Sequence, residues 1–203
     1  MIIGITGGTG CGKTTALRAI AQLGGTVIDC DAVYHRLLET DTALLSAIEA
    51  RFPGCVKEGV LQRKLLGKQV FADGQALLDL NAITHSAVRE EVLRLLTPRP
   101  KLAAIDAIAL FEGGLASLCD TTVAITAPEE SRIRRLMSRE GISQEYAASR
   151  IAAQKSNADF SALCAHTLEN NGTEADFYAN CLTFFQRLGI IKENTAKENS
   201  YDH

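Results

Sequence analysis

MIIGITGGTGCGKT, residues Met1 to Thr14, joins an apolar run (Ile2 to Ile5) to a glycine-rich turn, and a helical pattern carried by Ala16, Leu17, Ile20 and Leu23 follows it. From Gly7 to Thr14 the spacing is G-x-x-x-x-G-K-T, the form of a phosphate-binding loop. Each requirement has a physical reason. Glycines accept positive φ and a close backbone approach, so successive N–H groups can turn inward toward a polyphosphate. Lys13 brings a mobile point charge to the β- and γ-phosphates, and the Thr14 hydroxyl can reach the accompanying Mg²⁺. A helix starting near Lys13 adds its positive end. The expected nucleotide-binding set is therefore Gly7, Gly8, Thr9, Gly10, Cys11, Gly12, Lys13, Thr14 and Thr15. A glycine-rich turn that binds nothing is the alternative, and the strand before it and the helix after it argue against that.

Composition limits the rest. With 203 residues, 46% hydrophobic and 22% charged, the chain has material for one α/β core and a small appended lobe. A net charge of −3 gives no basic field for nonspecific nucleic-acid binding. No stretch approaches the roughly 18 apolar residues of a membrane span, so a soluble, cytoplasmic protein is expected, as a monomer or small homo-oligomer. Six cysteines are scattered without C-x-x-C or zinc spacing and read as buried reduced thiols. Cys11 is the exception: beside a helix N-terminus, a lowered thiol pKa is expected, and alkylation there would block nucleotide binding. A simple need for a small residue is the favoured explanation of Cys11 over a catalytic thiol.

Further along, Thr26 to Ile28 reads as a strand running into Asp29-Cys30-Asp31, where α/β sheets place chemistry. Asp31 can also cap the next helix, Ala32 to Glu39. From Thr42 to about Thr97 the pattern is helical with no obvious strand, which suggests an inserted lobe. Its Arg63, Lys64, Lys68, His85 and Arg89 can face an anionic ligand, although for any single one of them a solvated surface role is the better reading. Leu102 to Asp106 reads as a buried strand ending in an acid, the form of a second magnesium-side motif, so Thr14 and Asp106 are the candidate metal ligands. A loop follows from Ala109 to Gly114, and Thr121 to Thr126 is another strand.

Glu129 to Glu140 has a helical period, with Ile133, Leu136 and Met137 on one face and Arg132, Arg135 and Arg139 on another, where an arginine clamp on a transferring phosphoryl group belongs. Gly141 ends that helix and Ser143 caps the next, whose buried side is Ala147, Ala148, Ile151 and Ala152; two helices joined by a glycine hinge suit a lid. A last strand, His166 to Glu169, turns at Asn170-Asn171-Gly172 into a helix capped by Thr173 and packed through Phe177, Cys181, Phe184, Phe185 and Leu188, with a frayed tail from about Lys192. The expected organisation is a core of 1–40, 101–130 and 164–190, a helical lobe of 41–100 and a lid of 131–160 around a parallel three-layer sheet.

These separated stretches together resemble the dephospho-CoA kinase family over roughly residues 1 to 190. The resemblance rests on GITGGTGCGKTT at 4–15, VIDCD at 27–31, LQRKLLGKQVFAD at 61–73, LNAITH at 80–85, LFE at 110–112, the arginine run at 135–143, RIAAQ at 150–154 and NNG at 170–172. It implies a P-loop kinase fold with a roughly five-stranded parallel sheet, and transfer of the ATP γ-phosphate to the ribose 3′-hydroxyl of dephospho-CoA with Mg²⁺. By that resemblance Lys13, Asp31 and Arg139 are catalytic, with Asp31 as base or orienting group. Asn170 lies near the nucleotide base, and Asp31, Arg63, His85 and Glu112 contact the substrate. The chain departs from the family's usual pattern at Ile108 to Glu112, at Ser86 and around Ala165 and His166, and none of these touches the loop or Asp31.

Two other readings share some of these features. A nucleoside monophosphate kinase has the same loop, inserted helices and arginine lid, but it needs arginines rather than an aspartate at the acceptor. A regulatory GTPase should carry N-K-x-D, which does not occur.

Overall fold

Strand β1 (Ile2–Thr6) is buried at every position, which in a parallel sheet requires cover on both faces. The computed structural model describes residues 1–198. Around β1 it places β2 (Thr26–Asp29), β5 (Ala103–Asp106), β6 (Thr121–Thr126) and β7 (His166–Glu169) in the order β2-β5-β1-β6-β7. Parallel pairing sets Ile5 beside Asp106 on one side and Val123 on the other. The short hairpin strands β3 (Val56–Lys57) and β4 (Val60–Leu61) stand apart from this sheet. The α/β fold with a five-stranded parallel sheet is therefore as the sequence predicts. Because β1 is central and the chain leaves it first to one side and then to the other, the turn after β1 opens at the switch point where such sheets bind ligands.

The chain divides into two compact units. The first holds Met1–Val27, Pro100–Ile108 and the chain from Cys119. In it α1 (Lys13–Gln22) and α9 (Glu174–Glu198) pack on the sheet through Ala16, Ala19, Ile20, Phe177, Cys181 and Phe185, against Ile3, Ile5, Val123 and Ile125. The expected cap at Thr173 is present, its hydroxyl donating to Asp176 (2.6 Å) and accepting from the Asp176 N–H. Helix α9 runs to Glu198, past the point where the sequence predicts a frayed tail, and residues 199–203 lie outside the described residues.

Helices α6 (Glu129–Glu140) and α7 (Gln144–Ala152) also belong to this unit and share a small core of Leu136, Ala147 and Ile151. Gly141 closes α6 at φ 65°, a left-handed cap, and Ser143 accepts from the Tyr146 N–H as expected. Ala152, expected on the buried side, is exposed. Helix α8 (Asn157–Leu163) is not anticipated by periodicity because it is only seven residues long. Its signal was present in Ser156 and Asp159, which form a capping box.

The second unit holds Ile28–Arg99 and Ala109–Leu118. It contains α2 (Cys30–Thr40), α3 (Thr42–Arg51), α4 (Arg63–Ala72) and α5 (Gly74–Leu95), with Val33, Leu37, Leu44, Ile48, Leu66, Val88 and Val92 buried. The β3–β4 hairpin lies in this unit and corrects the expectation of no strand there. Its two-residue strands are too short to show alternation, and Glu58 (φ 52°) with Gly59 (φ 76°) makes the positive-φ turn that joins them. Among the described residues no helix is long and apolar enough to cross a membrane.

Candidate active site

The turn after β1 has the backbone its glycines permit: φ is 142° at Gly7, 76° at Gly10 and 105° at Gly12, all costly for an L side chain. Gly12 is the left-handed N-cap of α1, and its carbonyl accepts from the Thr15 N–H at 3.0 Å. Lys13 folds its ammonium back onto the Gly7 carbonyl (3.0 Å), within the loop it is expected to serve. Thr14 is exposed in the first turn of α1, while Thr15 is buried.

The carbonyls of the loop are held from outside. Arg132 Nε donates to Thr9 O (2.8 Å), and Arg135 donates to Gly10 O (3.1 Å). Asn170 donates to Cys11 O (2.9 Å) and accepts from the second Arg135 nitrogen (3.0 Å). In a trans peptide C=O and N–H point opposite ways, so fixing the carbonyls of Thr9 and Cys11 aims the N–H groups of Gly10 and Gly12 to the other side. Cationic donors also polarise those peptides toward an anion. Asn170, expected near the nucleotide base, is only 4% exposed and sits against the loop, with both ends of its amide engaged.

This arrangement corrects the reading of α6. The apolar residues Ile133, Leu136 and Met137 are not uniformly its buried side: Met137 is exposed, while Arg132 is 3% exposed and buried beside the loop. Burial draws the Arg132 guanidinium below its ordinary range, but Arg stays charged and its donors are met by loop acceptors. Arg139, one turn beyond Arg135, points instead to Glu140, which also takes Arg150 of α7. Periodicity could not separate Arg132 and Arg135 from Arg139, because the loop carbonyls that take the first two lie more than 120 positions away in the chain.

Cys11 corrects the expected thiol chemistry as well. Its side chain is fully buried, and burial raises the thiol above its ordinary value against the opposing Lys13 charge. The desolvated interior outweighs the helix terminus. Each unit of upward shift removes about tenfold of the thiolate at a given pH. Cys11 should accordingly stay unmodified when the native protein is treated with iodoacetamide at pH 8 and become modified in urea, as peptide mapping will report. Rapid native labelling of Cys11 would contradict this account. The small-residue explanation of Cys11 is the one its packing supports.

The candidate acids occupy strand ends and a helix start. Asp106 closes β5 beside Ile5, half-buried. Asp29, not Asp31, caps α2: its carboxylate accepts from the N–H groups of Asp31 (2.9 Å) and Ala32 (3.0 Å). The helix begins two residues earlier than expected, and that leaves the Asp31 carboxylate exposed in its first turn. Tyr34, one turn along α2, is affected by the charge of Arg63 at the start of α4, which works against the upward push of burial on its hydroxyl. His85, half-buried and held below its usual pKa by burial, packs against Gly113, next to the exposed Glu112; Arg89 lies against Gly114. Of the expected substrate residues, the structure brings His85 to the Glu112 loop, while Asp31 stands in the first turn of α2 and Arg63 in the first turn of α4.

Comparison with known proteins gives this geometry its family. A family model described as dephospho-CoA kinase matches residues 1–176. A Thermobifida fusca dephospho-CoA kinase is 33% identical over 190 residues, covering 92% of this chain and 95% of that protein. A solved Thermus thermophilus protein superposes with a TM-score of 0.76 at 32% identity, covering 93% of this chain and 97% of that one. A Campylobacter jejuni dephospho-CoA kinase superposes with a TM-score of 0.68 at 25% identity over 94% and 98% of the two chains. The chain belongs to the dephospho-CoA kinase family and is a kinase with a P-loop fold.

Proposed function

We propose that the chain moves the γ-phosphoryl group of ATP to the ribose 3′-hydroxyl of dephospho-CoA, releasing ADP and coenzyme A. The observation that carries this is the phosphate loop of the first unit, whose carbonyls are tied back by Arg132, Arg135 and Asn170 in a chain of this family. Phosphoryl transfer runs through a loose transition state, so positioning and charge neutralisation supply most of the rate. Gly10 and Gly12 offer N–H groups to the polyphosphate, and Lys13 moves from Gly7 O onto it.

Asp31 accepts the proton of the 3′-hydroxyl as that oxygen bonds to the γ-phosphorus. The bond from the γ-phosphorus to the β,γ-bridging oxygen breaks, and its electron pair leaves with ADP. Arg139 exchanges Glu140 for the transferring group. Arg63 and His85 with the Glu112 loop hold the acceptor. Mg²⁺ would suit this site through Thr14 and Asp106, whose oxygens are the donors that a hard cation prefers. When bound it neutralises charge on the β- and γ-phosphates.

The test is mass spectrometry of products after the purified protein meets Mg-ATP with dephospho-CoA or with a panel of nucleoside monophosphates. A gain of one phosphate on dephospho-CoA alone is expected. Phosphorylation of a monophosphate in its place would move the chain to a different acceptor, and nucleotide hydrolysis with no acceptor would favour a regulatory role.

A further inference from the structure

Gln154 has no part in the site as the sequence describes it, yet it closes a three-sided contact around one residue of the phosphate loop, Thr9, reaching the peptides on both sides of it. Its Oε1 accepts from the Thr9 N–H at 2.8 Å and from Arg132 Nη2 at 3.2 Å, while Arg132 Nε donates to the Thr9 carbonyl at 2.8 Å. Both polar groups of Thr9 are thereby held, one by each partner, across 123 and 145 positions of chain. The space is fully used. A Cβ on Gly8 would come within 2.2 Å of Arg132 Nη2 and 3.1 Å of Gln154 Oε1, so the glycine at this position is what admits the pair.

The chemistry of the three members is matched. Arg132 is 3% exposed, a cation in the interior that needs acceptors on more than one side of its planar fork. Thr9 O and Gln154 Oε1 are two such acceptors, and neither carries a charge. An acid in place of Gln154 would pair more strongly with Arg132, but it would add a negative charge beside the loop that receives a polyphosphate. Gln154 also stands just past α7, where its own N–H donates to Ile151 O at 3.1 Å, so its side chain joins the end of α7 to the loop while Arg132 joins α6 to it.

We propose that Arg132 and Gln154 are positioning residues that fix the two peptides flanking Thr9 in the anion-receiving shape of the loop before nucleotide arrives, and that they seat α6 and α7 on that loop. Neither is assigned a contact with substrate. This assignment rests on the reading of the loop as the ATP site, and the first measurement below is independent of that reading.

Thr9 amide exchange, followed by NMR on the nucleotide-free wild-type protein and on Gln154→Met and Gln154→Glu, tests the contact itself. Methionine fills the same volume without an acceptor, and glutamate keeps the acceptor while adding charge. Thr9 should be protected in the wild type and in Gln154→Glu, and should exchange about tenfold faster or more in Gln154→Met, in line with loss of one hydrogen bond. Steady-state kinetics should then show KM for ATP raised about tenfold in Gln154→Met with KM for dephospho-CoA within about twofold of wild type. Gln154→Glu should keep the wild-type Tm and also raise KM for ATP.

A Thr9 amide in the wild type that exchanges as fast as one in an open loop overturns the proposal, whether or not the methionine variant folds. A Gln154→Met enzyme whose melting temperature falls while KM for ATP stays within twofold overturns it too, because Gln154 would then serve stability alone. A protected Thr9 in a wild-type protein that binds no ATP would instead count against the proposed function and leave the contact standing.

Discussion

Asp31→Asn is expected to lower kcat by about 10² to 10⁴ while leaving ATP binding close to wild type, the range seen when a positioned general base is removed. The structure makes this variant a clean one. Asp29 caps α2, accepting from the N–H groups of Asp31 and Ala32, so the helix does not depend on the Asp31 carboxylate. Asp31 is exposed in the first turn, and asparagine preserves its size while removing the charge and the ability to take a proton. Thermal melting should therefore stay within a few degrees, and calorimetric ATP affinity within about twofold. Asp29→Ala should do the reverse, costing about 1 kcal/mol of stability through the lost cap. A kcat for Asp31→Asn within about threefold of wild type would remove Asp31 from the chemistry and would require another acceptor for the hydroxyl proton.

Arg139→Ala should cost more in turnover, about 10³ or beyond, because an arginine on the transferring phosphoryl group supplies charge only when that group develops it. Three arginines of α6 were candidates, and their contacts now separate them. Arg132 is buried on Thr9, and Arg135 is engaged by Gly10 and Asn170. Arg139 is 60% exposed in its side chain and paired at the surface with Glu140. Exposed pairs of this kind contribute little and exchange readily, so the guanidinium is available to a stronger anion. The expected signature is a fall in kcat with KM for ATP little changed, measured by steady-state kinetics, and only partial recovery in Arg139→Lys, whose ammonium cannot form the bidentate contact. Arg135→Ala should instead raise KM for ATP, since its partners belong to the loop. A kcat for Arg139→Ala within tenfold of wild type would transfer the role to another cation.

Much of this was legible before any coordinates. The loop could be read because its requirements are local: glycines at fixed offsets for positive φ, then a lysine and a hydroxyl at the start of a helix. The strands β1, β5 and β6 could be read because a strand buried on both faces is a short continuous apolar run. Where the reading failed, the deciding interaction was weakly encoded or distant. The β3–β4 strands are too short for a pattern to show. Asp29 and Asp31 are chemically equivalent, and the choice of cap fell to whichever residue the incoming strand left in extended backbone, which is Asp29 at φ −86° and ψ 108°. Cys11 looked reactive from its neighbours in sequence, yet the interior that desolvates it is assembled from elsewhere in the chain.

The sequence by itself determined that the chain would build a parallel α/β sheet with a polyphosphate loop after its first strand, because φ preferences, apolar runs and the spacing of a lysine from glycines act over a few residues. Only the tertiary structure decided which side chains hold that loop. The contacts of Arg132, Arg135, Gln154 and Asn170 with Thr9, Gly10 and Cys11 span at least 123 positions. A guanidinium becomes a brace rather than a solvated charge only once folding has removed its water and set a carbonyl in its place.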